Sequence, residues 1–483
     1  MSILSLDFLG MALAALILYY ALPMKIRWLV LLAASGLFAA LAGWQGAAHL
    51  AGAALLSWGG GLLLEKKRSR WILAVCLVID IGAMAFIKYY PTISGATLFV
   101  PLGLSYFTFQ TAGYLVDVYR KKVTAERNPL KSLLFAGYFL QLPQGPISTW
   151  KELGSQLTEG HKLDPDNIAS GFQRMVWGYF KKMVLADRLA VMTDALLKGE
   201  DLPGWFVLGG VVLYAIRLYA DFSGGLDIVR GISRMFGVRL PENFRRPFFA
   251  DTVADYWRRW HITLGTWFRS YLLYPLVTSR AAVAFTKAVT PVFGKKTARA
   301  LPTAFATLLV FVLIGIWHMA SWNAVIFGAY FGLVMAISLL LEPMWKKINK
   351  GLHLPKKGWL LPFKLIRTWI LVLIAQYFAF TFEPAQAWGL LQQTFANWDF
   401  TGFAERCETV MPVLEWIIAG SAAVILLVID IITEIKNNFC DGLAKPKWFW
   451  IRWPALIVLI VAIAVFGCYG EGFDSASFVY TQF

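Results

Sequence analysis

Apolar runs of eighteen or more residues recur along nearly the whole chain, separated by short polar or basic stretches. Their length is that of helices crossing a hydrocarbon layer of roughly 30 Å. Roughly twelve crossings fit the pattern, near residues 3–22, 27–44, 48–64, 71–88, 99–118, 172–198, 203–222, 302–318, 322–341, 361–382, 413–432 and 448–470. Two stretches break it. "KSLLFAGYFLQLPQGPISTW" (131–150) is apolar but too short and too rich in Gly and Pro to cross, and "PENFRRPFFADTVADYWRRWHITLGTWFRSYLLYPL" (241–276) mixes aromatics with arginine. Both read as re-entrant or interfacial, because irregular backbone at membrane depth survives only where protein or a wet cavity satisfies its amides. In the second, Asp251 is placed to cap a helix starting at Thr252, with Arg258 one turn before His261.

Composition agrees with this pattern. The chain has 483 residues, 58% hydrophobic, 16% aromatic and only 15% charged, against about a quarter charged in soluble domains. The prediction is an all-α integral membrane protein. The first segment carries Asp7 instead of a basic leader region and has no small-residue cleavage site, so it is expected to remain as the first span. Cys76 and Cys468 fall in apolar runs and Cys407 and Cys440 in loops, a distribution that implies neither a disulfide framework nor a metal site.

The net charge of +16 changes the picture only through its distribution. "MKIR" (24–27), "EKKRSR" (65–70), "YRKKVTAER" (119–127), the Arg-rich 230–300 region, "KKINKGLHLPKK" (346–357) and "EIKNN" (434–438) fall on one side when twelve helices are threaded. By the positive-inside rule that side is cytoplasmic, and both termini are extracytoplasmic. The basic runs therefore point to lipid headgroups as partners, not nucleic acid.

Candidate chemistry rests on few residues. His49, His161 and His353 lie in or beside loops, whereas His261 and His318 are bedded in apolar, aromatic sequence. Desolvation disfavours imidazolium, so a buried histidine stays neutral and can take a proton from a hydroxyl nucleophile. The flanking Arg258 and Arg259 would push His261 the same way. A structural histidine bonded to a backbone carbonyl is the competing reading for each. Asp221, beside "FSGG" at the inner end of its predicted helix, should be paired, and Arg217 one turn earlier is the nearest candidate. No GxxxxGK[ST], GxSxG or HExxH pattern occurs.

The segments "PLGLSYFTFQTAGYLVDVYR" (101–120), "QGPIS" (144–148), "GYFKKMVLADRLA" (178–190), "YADFSGGLDIVRGISRMFGVRLPENFRRPFFA" (219–250), "DYWRRWHITLGTWFRSYLLYPL" (255–276), "GIWHMASWN" (315–323) and "FVYTQF" (478–483) follow one another in an order that resembles the membrane-bound O-acyltransferase superfamily. The resemblance is to its alginate O-acetylation branch, with teichoic-acid D-alanyl transferases as cousins. It divides the chain into N-terminal helices (1–98) and a core (99–483). It implies a multi-helix fold around a tunnel, and transfer of a small acyl group from a cytoplasmic thioester to an extracytoplasmic polysaccharide. The bacterial inner membrane is the implied location. His318, of the WH pair with Trp317, is then the catalytic residue and His261 a supporting one. No bound cofactor is implied; the donor is acetyl-CoA or a carrier-protein thioester. Arg245, Arg246, Arg258 and Arg259 are candidates for donor phosphates, and Trp317 and Asp221 complete the candidate substrate-binding set. An SGNH-type transferase or acyl-accepting protein outside the membrane is the implied partner.

The tail adds Tyr480. Phe478, Tyr480 and Phe483 resemble a C-terminal motif that D-alanyl transferase systems carry on a separate small peptide, which would make Tyr480 an acyl acceptor in cis. An interfacial aromatic anchor is the alternative. Departures from the family pattern are Phe331, where many relatives carry a second histidine, Met319, where glycine is usual, and "FEP" (382–384). A D-alanyl-type transferase, a secondary transporter and a non-enzymatic export scaffold stand as the other readings.

Overall fold

The computed structural model describes residues 2–198, 202–351, 360–381, 383–436 and 449–469. These residues form an all-α membrane protein. Nine helices among them are long and apolar enough to cross a membrane. All twelve apolar segments are helical; the three outside that set are two 16-residue helices, α1 (Leu6–Ala21) and α5 (Leu104–Tyr119), and the 165–198 stretch, which is interrupted by a wider turn.

Among the described residues, the first compact unit contains 2–188, 217–242, 414–436 and 449–469. Its helices are α1, α2 (Arg27–Ala42), α3 (Trp44–Lys66), α4 (Arg70–Ser94), α5, α6 (Pro129–Gly137), α7 (Trp150–Thr158), α8 (Pro165–Tyr179), the first two residues of α9 (Asp187–Lys198), the second half of α10 (Gly204–Met235), and two further spans given below. Polar residues start these helices where the pattern turns apolar: Ser5 accepts from Phe8 N–H, Asn128 from Leu130 N–H, and Thr149 forms a reciprocal capping box with Glu152. At nine residues, α6 and α7 are too short to span. The chain between them, residues 138–148, is irregular and buried throughout.

Between α8 and α9, residues Phe180–Ala186 form a π-helical turn that brings two lysines to α10. Lys182 Nζ lies 2.6 Å from Asp221 and 2.8 Å from Asp187, and Lys181 Nζ lies 2.6 Å from Asp227. Arg174 bonds Asp227 at 2.7 Å and Glu242 at 2.9 Å. Asp221 is thus paired as expected, with an ion pair to Lys182, 39 residues away. Helix α10 also runs on to Met235 and does not end near residue 222. Its polar second half stays helical because its side chains meet opposite charges instead of water.

The second unit contains residues 189–216 and 243–413. Short helices α11 (Val253–Arg259), α12 (Ile262–Phe268) and α13 (Tyr274–Val277) precede α14 (Arg280–His318), α15 (Trp322–Gly351), α16 (Leu361–Phe380), α17 (Pro384–Gln393) and α18 (Phe403–Val410). The spans α19 (Val413–Ile435) and α20 (Phe449–Phe466) complete the helices among the described residues, almost wholly within the first unit. Non-helical backbone at Gly294 (φ 73°) divides α14, leaving one continuous helical run to His318. That run and α15 pack backbone to backbone. A Cβ on Gly315 would collide with the Ala324 carbonyl, and one on Gly332 would sit 2.9 Å from Leu308 Cα. Only glycine permits so close an approach.

Candidate active site

His318 ends α14, and a short turn at 319–321 leads into α15. The turn is pinned at both sides. Met319 N–H donates to the Gly315 carbonyl at 3.3 Å, Ser321 Oγ accepts from Ala324 N–H at 3.2 Å, and Asn323 Nδ2 donates to both oxygens of Thr381 at 2.7 and 2.8 Å. The half-buried His318 is therefore held at the mouth of a fixed helical hairpin.

The buried Trp317 ring lies 4.6 Å from the His318 ring and 6.2 Å from that of His261, both edge-on. One indole thus faces the two histidines that sequence reading singled out. Phe331, which departs from the family pattern, is fully buried 5.0 Å from Trp257 in an aromatic cluster with Phe327 and Tyr330.

His261 is 1% exposed and stands between two helices, not on one. Thr252, not Asp251, caps α11 through Asp255 N–H at 3.1 Å. The helix ends at Arg259, and His261 takes a left-handed conformation (φ 44°, ψ 53°) that starts α12. The expectation of Arg258 one turn before His261 on a shared helix face therefore fails. The carboxylate of Asp255 ends that alignment by collecting both arginines, Arg258 at 3.1 Å and Arg259 at 2.7 Å. The left-handed backbone is imposed from residues 243–246: Asn243 O accepts from Ile262 N–H at 3.0 Å, and Arg245 N–H donates to Arg259 O at 2.9 Å.

Asn243, which sequence reading passed over, orders the ring. Its Oδ1 accepts from Thr263 N–H at 2.9 Å and Thr263 Oγ1 at 3.0 Å, and lies 3.3 Å from His261 Nδ1. An oxygen already accepting two hydrogen bonds favours Nδ1–H, which leaves Nε2 as the basic nitrogen of a neutral ring. Burial lowers the His261 pKa to about 3. Desolvation sets that shift, not the neighbouring arginines, whose charges are directed to Asp255. So weak a base suits an orienting or hydrogen-bonding role better than proton abstraction at neutral pH.

The other candidates are dispersed. Arg258 is 57% exposed while Arg259 is largely covered. Arg245 is exposed and Arg246 is half-buried with left-handed backbone (φ 47°). Asp221 belongs to the first unit's ion-pair network. Tyr480 and its flanking aromatics, with Phe382, His353 and Cys440, lie outside the described residues. The "PENF" stretch was the only sequence signal for Asn243, and nothing in it distinguished that residue from its neighbours.

No family model matches the chain. It is 28% identical to a probable alginate O-acetylase of Pseudomonas putida over 96% of each chain. It is 30% identical to the corresponding protein of Pseudomonas aeruginosa, over 78% of this chain and 72% of the relative. A peptidoglycan O-acetyltransferase of Helicobacter pylori is 31% identical over 56% of this chain and 54% of the relative. These likenesses, added to the ordered motifs and an all-α fold with His261, Trp317 and His318 brought together, show that the chain belongs to the membrane-bound O-acyltransferase superfamily, in its alginate O-acetylase branch, and is an acyl-transferring enzyme of membranes.

Proposed function

We propose that the protein transfers an acetyl or similar small acyl group from a cytoplasmic thioester, of coenzyme A or a carrier protein, toward an extracytoplasmic polysaccharide. The observation that carries this reading is the Trp317 ring set against both His318 and His261. His318 is the general base. One of its ring nitrogens takes the proton of an acceptor hydroxyl as that oxygen attacks the thioester carbonyl; the C–S bond breaks, and the imidazolium returns the proton to the leaving thiolate. His261, kept neutral by burial and oriented by Asn243, is a supporting residue. The apolar surroundings limit the water that would otherwise hydrolyse the acyl group.

On this reading the chain lies in the bacterial inner membrane with both termini outside, and Tyr480 is an acyl acceptor in cis. Its phenol attacks the thioester with loss of its proton to a base, and the resulting ester passes its acyl group to a serine of an SGNH-type transferase. Arg245, Arg246, Arg258 and Arg259 are the arginines proposed to meet donor phosphates; Arg245 and Arg258 are the exposed ones, and Arg258 and Arg259 share Asp255. Likeness to alginate and peptidoglycan O-acetylating proteins supports a polysaccharide acceptor.

The test is His318→Ala in cells, scored by ester-linked acetate on surface polysaccharide, with protein abundance in membranes as control. Loss of acetate at normal abundance is expected; unchanged acetate overturns the reading. His261→Ala should be less severe. Tyr480→Phe should keep abundance and abolish delivery. Ester-linked D-alanine in place of acetate would shift the assignment to a D-alanyl transferase.

A further inference from the structure

Thr381 ends α16 and joins it to the turn that follows His318. Asn323 Nδ2 donates to Thr381 O at 2.7 Å and to Thr381 Oγ1 at 2.8 Å, and Thr381 Oγ1 donates in turn to Tyr377 O at 2.7 Å. Both Asn323 and Thr381 are buried. The two amide hydrogens and the single hydroxyl hydrogen are all used, so these groups fit together in one arrangement. Hydrogen bonds weaken steeply when misaligned, and a buried set that is fully paired fixes position as well as adding stability.

The Thr381 end of α16 is itself held from the side away from the histidine. The Tyr377 hydroxyl lies 2.6 Å from Thr394 Oγ1, whose own hydrogen goes to Leu390 O at 3.0 Å, which makes the tyrosine the donor. Trp398 Nε1 donates to Thr394 O at 2.9 Å. Tyr377 and Leu390 share one apolar core with Phe206, Val207, Val211 and Ala387. On the other side, Asn323 adjoins Ala324, whose carbonyl makes the close approach to Gly315 in the turn of α14 that ends at His318. A displacement of Asn323 therefore moves backbone against backbone at Gly315 and shifts the end of α14 that carries His318.

We infer that Thr381 is a positioning residue for His318, acting through Asn323 and the first turn of α15, an assignment that rests on the acyl-transfer reading above. Thr381 has no contact with the reacting groups in this assignment. Its hydroxyl sets where the imidazole stands when the acceptor oxygen attacks, and a general base displaced by about 1 Å loses much of its effect on rate without weakening substrate binding.

The test compares, in the full chain, Thr381→Val, which keeps the shape and removes the hydroxyl, with Thr381→Ser, which keeps the hydroxyl. The first readout is His318-dependent thiol release from acetyl-CoA by membranes carrying each variant. Thr381→Val should lower kcat about tenfold or more with KM for acetyl-CoA within about twofold of wild type, and Thr381→Ser should return kcat to within about threefold. The second readout is the rate at which diethylpyrocarbonate modifies His318, followed by mass spectrometry with His49 and His161 as internal references. Thr381→Val should change that rate about threefold or more relative to the references, and Thr381→Ser should not. Wild-type kcat in Thr381→Val, a change in KM alone, failure of serine to rescue, or unchanged reactivity of His318 each overturns the proposal. If Thr381→Val does not accumulate, Asn323→Leu replaces it with the same pattern expected; loss of both from the membrane makes the bond a requirement of folding and overturns the positioning role. Thiol release equal in wild type and His318→Ala would instead remove the acyl-transfer reading, while the reactivity of His318 still decides whether Thr381 positions it.

Discussion

Asn243 Oδ1 lies 3.3 Å from Nδ1 of His261, across eighteen residues of chain, while also accepting two hydrogen bonds from Thr263. Replacing Asn243 by Leu leaves the buried Thr263 N–H and the imidazole without that acceptor, at a cost of about 1–3 kcal/mol. The melting temperature in detergent should fall, and acyl transfer should fall more than stability alone accounts for. Asn243→Asp keeps an acceptor and should retain more activity than Asn243→Leu. Equal activity of Asn243→Leu and wild type would deny the orienting role.

The pH dependence of stability follows from the neutral His261. In the unfolded chain the ring takes up a proton near its ordinary pKa of about 6.5, whereas in the folded chain burial delays protonation to about pH 3. The unfolded state therefore binds more protons between these values, and stability is lost as pH falls from about 6.5 toward 3. Above that window His261 contributes no slope. Melting curves at pH 7, 5 and 4 should show a steeper decline for wild type than for His261→Asn, and parallel declines would contradict this origin.

Lys182 and Asp221 form a pair in which both side chains are nearly inaccessible. Asp221→Leu removes the closer of the two carboxylates at Lys182, and Lys182→Met takes the lysine from both Asp221 and Asp187. Removing one partner of a buried pair costs about 3–5 kcal/mol. Each single variant should lower membrane abundance and melting temperature sharply. The double variant Lys182→Met with Asp221→Leu should cost less than the two singles together, because the two charges of that pair leave as a unit, although Asp187 still loses its lysine. A double variant as unstable as the sum of the singles would show that the two do not interact.

Gly315 sets the spacing between α14 and α15 one turn before His318. A methyl group there meets the Ala324 carbonyl, which belongs to backbone and has little room to yield. Gly315→Ala should separate the hairpin, lowering melting temperature by several degrees, about 1–3 kcal/mol of strain, and displacing His318 enough to reduce acyl transfer at least tenfold. Gly209, whose Cβ position is open, is the matched control. Equal effects at the two glycines would contradict the packing argument.

Hydropathy located the twelve apolar segments because transfer into hydrocarbon is close to additive along the chain, so a run of apolar residues carries its own signal; it gave neither α17 and α18 nor the polar second half of α10. The "WH" pair was legible for the same local reason: a histidine between two apolar runs stands out. Pairings across elements were not legible. Arg217 was the nearest candidate for Asp221 by helical spacing, yet a π-helical turn 39 residues away supplies Lys182. His261 read as part of one helix with Arg258, whereas backbone bonds from Asn243 and to Arg259 break that helix and turn the ring toward Trp317. By itself the sequence determined membrane insertion, the apolar helical segments and the residue types available for acyl transfer. Tertiary structure decided which buried polar groups meet, because a hydrogen bond or ion pair depends on distances between distant residues that no local pattern encodes.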